Sequence, residues 1–304
     1  MSLVGLFKGK GASGIGYDST TDQVTEGLDL SGRTLLVTGV ASGLGQETMR
    51  ILAKRGARVV GLARTEAKVR DAAKEVGVDV VPVACDLSEP ASVRAAVSAV
   101  RGQVGPLDGL IANAGIMALP TREVRHGQEM QMLTNHFGHF ILVTGLLDRL
   151  TPQGRVVILS SGAHTGAPSV GIDFADPTLE KSYSPWASYG QSKLANLLFA
   201  RALSRRLPAG QVANAVHPGV IATNLGRHSG AWVQFALRAA KPLFLKTVPA
   251  GAATQVWAAV HPSTATINGE YLADCNIATS SASGQDRALA DRLWTWSEET
   301  AAKM

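Results

Sequence analysis

The run Arg33-Thr-Leu-Leu-Val-Thr38 leads directly into Gly39-Val-Ala-Ser-Gly43-Leu-Gly45, and that into the helical pattern QETMRILAKRG, which stops at Gly56. The first segment, β-branched and aliphatic, predicts a buried strand. A strand that must turn into a helix across three glycines leaves few folds open. Gly39 permits the tight turn, Gly43 lets the backbone approach a pyrophosphate, and Gly45 allows close helix packing, with the helix N-terminus facing the negative charge. This is the order of a dinucleotide site, although the GxxxGxG spacing differs from the commoner GxGxxG.

The alternation continues along the chain. Strands are expected at 33–38, 58–62, 79–84, 107–112, 155–159, 211–216 and 269–273, and helices at 65–76, 89–104, 122–150, 285–303 and from Tyr189 onward. Such β/α order predicts an α/β, single-domain Rossmann fold: a doubly wound, mostly parallel seven-stranded sheet with helices on both faces. Right-handed crossovers bring the C-terminal strand ends to one edge, where ligands bind. The composition, 45% hydrophobic and 17% charged over 304 residues, suits one large core, and no Pro/Ser-rich linker divides it. A formal charge of +5 comes from scattered residues with no basic block longer than Arg205-Arg206, so no nucleic-acid partner is expected.

Residues 1–30 read as an N-terminal extension ahead of a domain at 31–304. Within it GKGASGIG (9–16) imitates a phosphate loop, but the polar DSTTDQVTEG that follows offers no helix N-terminus. An extension lying over the domain or partly disordered is expected instead. The apolar run Leu3-Val-Gly-Leu-Phe7 is too short for a signal-peptide core or an integral membrane segment. Cys85 and Cys275 give neither a disulfide framework nor a metal motif, so a cytoplasmic location is expected.

A second stretch carries chemistry. Tyr189-Gly-Gln-Ser-Lys193 heads the run YGQSKLANLLFARALSRRL, in which Leu194, Leu197, Leu198, Ala202 and Leu203 recur at helical spacing. This predicts an amphipathic helix with Tyr189 and Lys193 on one face near its start. An ammonium beside a phenol lowers a pKa that is ordinarily ~10, so Tyr189 can pass a proton at neutral pH. The plainer alternative is a tyrosine and a lysine on a solvated face.

Further signatures fall in order along the chain: Asp86-Leu87 after the third strand, Asn113-Ala-Gly115 after the fourth, Asn135 within TNHFGHF, Ser160-Ser161 ending the fifth, and Pro218-Gly219 after the sixth. With TGVASGLG and YGQSK they make residues 31–275 resemble the short-chain dehydrogenase/reductase family. NHFGHF, SSGAH and SKLANLLFA are most similar to the branch containing retinol dehydrogenases and the WW-domain oxidoreductase. The resemblance implies hydride transfer between a nicotinamide and a carbonyl carbon. It implies that Ser161 hydrogen-bonds the substrate oxygen, with Ser160 the alternative, and that Tyr189 exchanges the proton. Lys193 would hold the nicotinamide ribose and depress the tyrosine pKa, and Asn135 would anchor a water linking Lys193 to solvent. Cofactor contacts are implied at Gly39, Ser42, Gly43, Leu44, Gly45, Asn113, Ala114, Gly115, Tyr189, Lys193, Pro218, Gly219, Val220 and Thr223. Asp86 would accept from the adenine amino group, with Leu87 beside that ring.

The second strand ends Leu62-Ala-Arg-Thr65, with no acid before Glu66. A carboxylate there would suit a ribose hydroxyl, whereas arginine suits a 2′-phosphate, so NADP(H) is expected over NAD(H), with Arg64 on the phosphate. A solvated arginine at a helix start is the alternative.

The chain departs from the family pattern in places. The usual Asn-Asn-Ala-Gly appears as Ala112-Asn113-Ala114-Gly115, in which Asn113 keeps the position that pins the central strand. Ser161 and Tyr189 stand 28 residues apart, more than in compact members, and 162–188 reads as a substrate insertion looping beside the site. Residues 223–248 carry Trp232, Phe235, Leu237, Leu243 and Phe244, interrupted by Pro242. The resemblance makes this segment a lid over a small hydrophobic alcohol or carbonyl substrate. A core-packing helix pair, or a surface touching membrane or a partner, are the alternatives. A homodimer or homotetramer through the helices bearing Asn135 and Tyr189 is implied as well. No metal is expected, because His136 and His139 lack an acidic or cysteine partner nearby, and His164, His217 and His228 read as packing or loop residues. The resulting expectation is an NADP(H)-dependent oxidoreductase on CH–OH and C=O groups, a ketoreductase in the reducing direction. A catalytically retired NADP(H)-binding regulator and a carbon–carbon double-bond reductase are the rivals.

Overall fold

In the computed structural model, which describes residues 9–221 and 245–304, the hydrophobic run before the glycines is a strand, β1 (Thr34–Thr38), and Gly39 turns it into α1 (Gly43–Lys54). There follow β2 (Arg58–Ala63), α2 (Glu66–Val76), β3 (Val81–Ala84), α3 (Pro90–Gln103) and β4 (Leu107–Ala112). The local signals explain these limits. Thr65 caps α2 by accepting from Lys68 N, and Gly77 ends that helix at φ 70°, a conformation glycine adopts without a Cβ penalty. β2 and β4 flank β1 in parallel, Leu36 standing opposite Val60 on one side and Leu110 on the other.

The second half adds α4, a continuous helix made of Met130–Met132, the π-helical turn Leu133–Phe137, and Gly138–Thr144. After it come β5 (Leu150–Leu159), α5 (Pro185–Ser204), β6 (Val212–His217), α6 (Val248–Val260), β7 (Tyr271–Ala273), β8 (Asn276–Ile277) and α7 (Arg287–Ala301). The sheet order is β8-β7-β6-β5-β4-β1-β2-β3, all parallel except β8. The order reverses between β1 and β4, and a crevice at such a switch point is where a doubly wound sheet binds ligands.

Four expectations need correction. The sheet has eight strands among the described residues, not seven: the chain turns through Asp274 (φ 52°) and Cys275 (φ 57°) and pairs β8 antiparallel to β7. A two-residue strand carries no alternation by which it can be read. The helix expected at 122–150 begins only at Met130, because Val124–Arg125 and Gln128–Glu129 form a hairpin through His126 and Gly127, both at positive φ. Buried Glu129 then caps α4 by accepting from Gln131 N and Met132 N. β5 starts at Leu150 rather than 155, with a register irregularity opposite β4. Finally, α5 is not amphipathic: every residue from Gly190 to Ala200 is buried, polar ones included, since the sheet, α4 and α7 surround it.

Residues 9–30 lie over the domain. Ser13 N donates to Asn276 Oδ1, Tyr17, Val24 and Leu30 are buried, and Asp22 pairs with Arg50 at 2.6 Å and Lys54 at 2.8 Å on α1. Of the segment 223–248, residues 223–244 lie outside the described residues, and with them Thr223, His228, Trp232, Phe235, Leu237, Pro242, Leu243 and Phe244. No helix among the described residues is long and apolar enough to cross a membrane.

α7 closes one side of the core. Trp294 packs edge-to-face on Phe140 (5.3 Å) and tilted against Phe199 (5.9 Å), and Trp296 packs edge-to-face on Phe137 (4.9 Å) and Phe174 of the insertion (5.3 Å). The outer faces of α4 and α5 are thus covered by a helix of the same chain. Trp294→Ala should cost about 3–4 kcal/mol, as large-to-small changes of buried aromatics do. Urea unfolding will read this as a lowered midpoint at unchanged slope.

Candidate active site

The strand ends at the switch point hold one another through side chains. Asn113 Nδ2 donates to Thr38 O at 2.8 Å, and the Thr38 hydroxyl accepts from Asn113 N (2.9 Å) and Ala114 N (3.0 Å). Gln255 of α6 donates to Asn113 Oδ1 at 3.1 Å and to Thr48 of α1. Gly45 has no room for a side chain: a Cβ there would lie 2.2 Å from Gly39 O and 2.6 Å from Asn113 Nδ2. Gly43, at φ 60°, faces open space instead.

Asn135 sits in the π-helical turn of α4 with its oxygen and both of its N–H donors partnered. Its Oδ1 accepts from Ile116 N at 2.8 Å, and its Nδ2 donates to Ile116 O and Ser192 Oγ, both at 2.9 Å. A Cβ on Gly115 would stand 3.1 Å from Asn135 Oδ1 and 3.3 Å from Lys193 Nζ. Gly115 therefore marks the point where the β4 turn, α4 and α5 converge.

The two serines at the end of β5 divide. Ser160 is buried and donates to Lys193 O at 2.8 Å, which locks β5 to α5. Ser161 accepts from Ala163 N at 3.2 Å and stands close enough to the Tyr189 hydroxyl to favour its ionised form. Lys193 is 4% exposed, donates to Leu159 O at 3.0 Å, and places Nζ 5.8 Å from the centre of the Tyr189 ring. Sequence reasoning expected the lysine to depress the phenol. Among the protein's own groups burial decides otherwise: it raises the Tyr189 pKa, opposed by the nearby Ser161 hydroxyl, and it pushes Lys193 down to about 8.

At the nucleotide end, Ser42 is the N-cap of α1 but its side chain makes no cap hydrogen bond, so the first N–H groups of the helix are open to an anion. Leu44 stands in the first turn of α1. Arg64, just past β2, is exposed with no ion pair among the described residues, whereas Glu66 is turned along α2 to Arg70 at 3.0 Å. Asp86 Oδ1 accepts from Ser88 N and Ser88 Oγ, and Leu87 is buried under Gly138. Pro218, Gly219 (φ 87°) and exposed Val220 follow β6 at the same sheet edge. The glycines, the uncapped helix and the free arginine form a cradle that fits a dinucleotide. Among the described residues no group of His, Cys, Asp and Glu side chains is placed to hold a metal ion.

The sequence reading passed over Thr38, Gln255, Ser192 and His139, each of which holds a site residue rather than facing the cleft. For His139 a signal existed, its position four residues after Asn135, but the histidine was weighed only as a metal ligand. His164 and His217 are structural here: His164 bridges Ser161 O and Ser281 N, and His217 Nδ1 accepts from Gly162 N at 3.0 Å.

A family model described as short chain dehydrogenase matches residues 33–172. Short-chain dehydrogenase TIC 32 A, chloroplastic, of Brassica napus is 42% identical over 315 residues, with 98% of each chain covered. Retinol dehydrogenase 12 of Homo sapiens is 38% identical over 281 residues, covering 90% of this chain and 87% of its own. Among solved structures, an uncharacterized protein from Mycobacterium paratuberculosis superposes with a TM-score of 0.75 at 34% identity, over 92% of this chain and 97% of that one.

The burial of Lys193 has a consequence for stability. Its folded pKa of about 8 lies below the unfolded value of 10.5, so the unfolded chain binds more protons between the two and stability rises with pH across that window. Below pH 8 the buried charge is a full cost. Lys193→Met keeps the length of the side chain, and Leu159 O retains its bond from Asn196 Nδ2 at 2.9 Å. The variant should be more stable at pH 7 by on the order of 2 kcal/mol, with the gain shrinking as pH rises above 8. Urea midpoints measured at several pH values check this.

Proposed function

The chain belongs to the short-chain dehydrogenase/reductase family, and from that premise we propose that it is an NADP(H)-dependent oxidoreductase interconverting an alcohol and its ketone or aldehyde on a fairly apolar substrate. The observation that carries the reading is that Asn135 and Lys193 converge beside Gly115, next to the glycine turn, while Lys193 also lies against the Tyr189 ring and Ser161 stands close to the Tyr189 hydroxyl. The bound nicotinamide supplies or accepts the hydride.

The chain's own residues supply the rest. The Tyr189 hydroxyl donates its proton to the developing alkoxide, and Ser161 holds the same oxygen with its one O–H. A phenol raised by burial stays protonated until it is used, which suits the reducing direction. Lys193, beside the ring and close to neutrality in its pKa, is placed to return the proton. The Asn135 side chain spends both donors and one lone pair of its Oδ1 on Ile116 and Ser192, and we assign its contribution to a water-borne relay to its main-chain carbonyl.

Arg64 is the group proposed to select NADP(H), supported by its exposure and by the engagement of Glu66 with Arg70. Gly39, Gly43, Gly45 and the first turn of α1 would cradle the pyrophosphate, with Asp86 and Leu87 at the adenine and Asn113, Ala114, Gly115, Pro218, Gly219 and Val220 along the nicotinamide half. An apolar substrate is supported by Trp186, 59% exposed and edge-on to Tyr189 at 6.2 Å, and by the relative named for retinol. A cytoplasmic location and assembly as a homodimer or homotetramer are kept as proposals. Assembly would use a surface other than the faces of α4 and α5 beneath α7.

NADPH oxidation followed with a panel of aldehydes and ketones tests the activity; turnover of none of them would overturn it. Tyr189→Phe should lower kcat by about 10²–10⁴-fold while NADPH binding, read by fluorescence, stays within a few fold. Arg64→Ala should cut the ratio of kcat/KM for NADPH over NADH by about tenfold, the loss of roughly one charge-assisted pair.

A further inference from the structure

His139 lies on α4 one turn beyond Asn135, is fully buried, and makes two hydrogen bonds. Its Nε2 is 2.9 Å from the Thr38 hydroxyl and its Nδ1 is 2.9 Å from the main-chain carbonyl of Asn135. Donor counting settles the roles. A threonine hydroxyl has one hydrogen and two lone pairs. The Thr38 oxygen already accepts from Asn113 N and Ala114 N, so its hydrogen goes to His139 Nε2. Nε2 therefore accepts, the ring hydrogen is on Nδ1, and Nδ1–H donates to Asn135 O.

The chain of bonds runs from the β4 turn, through the end of β1, to the main-chain carbonyl of Asn135. It also enters α4 at its π-helical turn, an irregularity that recurs at functional sites because it re-aims backbone groups. We propose that His139 is a positioning residue for the proton relay: held in the Nδ1–H form by Thr38, it fixes the Asn135 carbonyl and so the place of Asn135 beside Lys193. The inference rests on the oxidoreductase reading for its relay and on geometry alone for its tautomer. Burial, with the charge of Lys193 across from α5, holds the His139 ring well below its ordinary pKa, at about 4, and His136 on the same helix is the other titratable neighbour. The ring is thus neutral wherever the protein works.

Three substitutions separate the two bonds. His139→Phe removes both, His139→Asn retains an N–H near the position of Nδ1, and His139→Gln reaches Thr38 without serving the carbonyl. We expect kcat for NADPH-dependent carbonyl reduction to fall about 10–100-fold in the Phe variant with KM within about threefold, by analogy with outer-shell partners of functional groups. The Asn variant should recover most of that loss and the Gln variant should not. Equal recovery by both, or an unchanged kcat in the Phe variant, would overturn the proposal. Should the Phe variant fail to fold, the Asn and Gln pair still decides. Independently of turnover, the 15N-histidine ring signals of the unaltered protein that vanish in the His139→Asn variant should show a pure Nδ1–H form, unchanged from about pH 5.5 to 8.5; an Nε2–H form or a mixture for that ring would overturn the tautomer. Inactivity toward every carbonyl tried would count against the oxidoreductase reading, and the spectrum would still test His139.

Discussion

Parallel strands that end in the interior leave backbone N–H and C=O groups beyond the reach of the sheet ladder, and each one left without a partner costs about 1–3 kcal/mol. At the C-terminal edge of this sheet side chains meet that demand. Asn113 serves Thr38 O, Asn135 serves both polar groups of Ile116, Lys193 and Asn196 share Leu159 O, and His217 accepts from Gly162 N. The residues around the cleft are the same ones that complete the strand ends. The site's precision and the fold's integrity therefore rest on one set of bonds, and a displaced strand end would carry its site residue with it.

How far the sequence discloses this depends on the kind of signal. Buried parallel strands are short apolar runs, and the six from β1 to β6 were legible to within a few residues because β-branched residues and glycine turns bound them. β8 and the hairpin before α4 were not, since their arms are only two or three residues long and show no alternation, even though Asp274 and Gly127 supply residues suited to the turns. α5 showed its apolar positions but not that Gln191, Ser192 and Asn196 would be buried with them, because their partners, Asp173 N, Asn135 of α4 and Leu159 O of β5, come from elements distant in the chain.

The site shows the same division. Tyr189, Lys193, Ser161 and Asn135 stood out because chemistry restricts the residue types that do such work. Thr38 and His139 look ordinary, and their importance lies in which lone pair is already taken, a property of three dimensions. The direction of the tyrosine shift without cofactor follows the same division. Proximity in sequence gave the lysine, but the burial of both groups, which sets the larger effect, belongs to tertiary structure.

The arrangement of α7 bears on how the molecule is made. The wall that Trp294 and Trp296 lay against Phe137, Phe140 and Phe199 comes from residues 287–301, far downstream of the helices they cover. A chain emerging N-terminus first can form β1 to β4 and their helices while still on the ribosome, yet α4 and α5 keep an aromatic face open until that late stretch has cleared the exit tunnel. During that interval the nascent protein exposes apolar surface of the kind that aggregates.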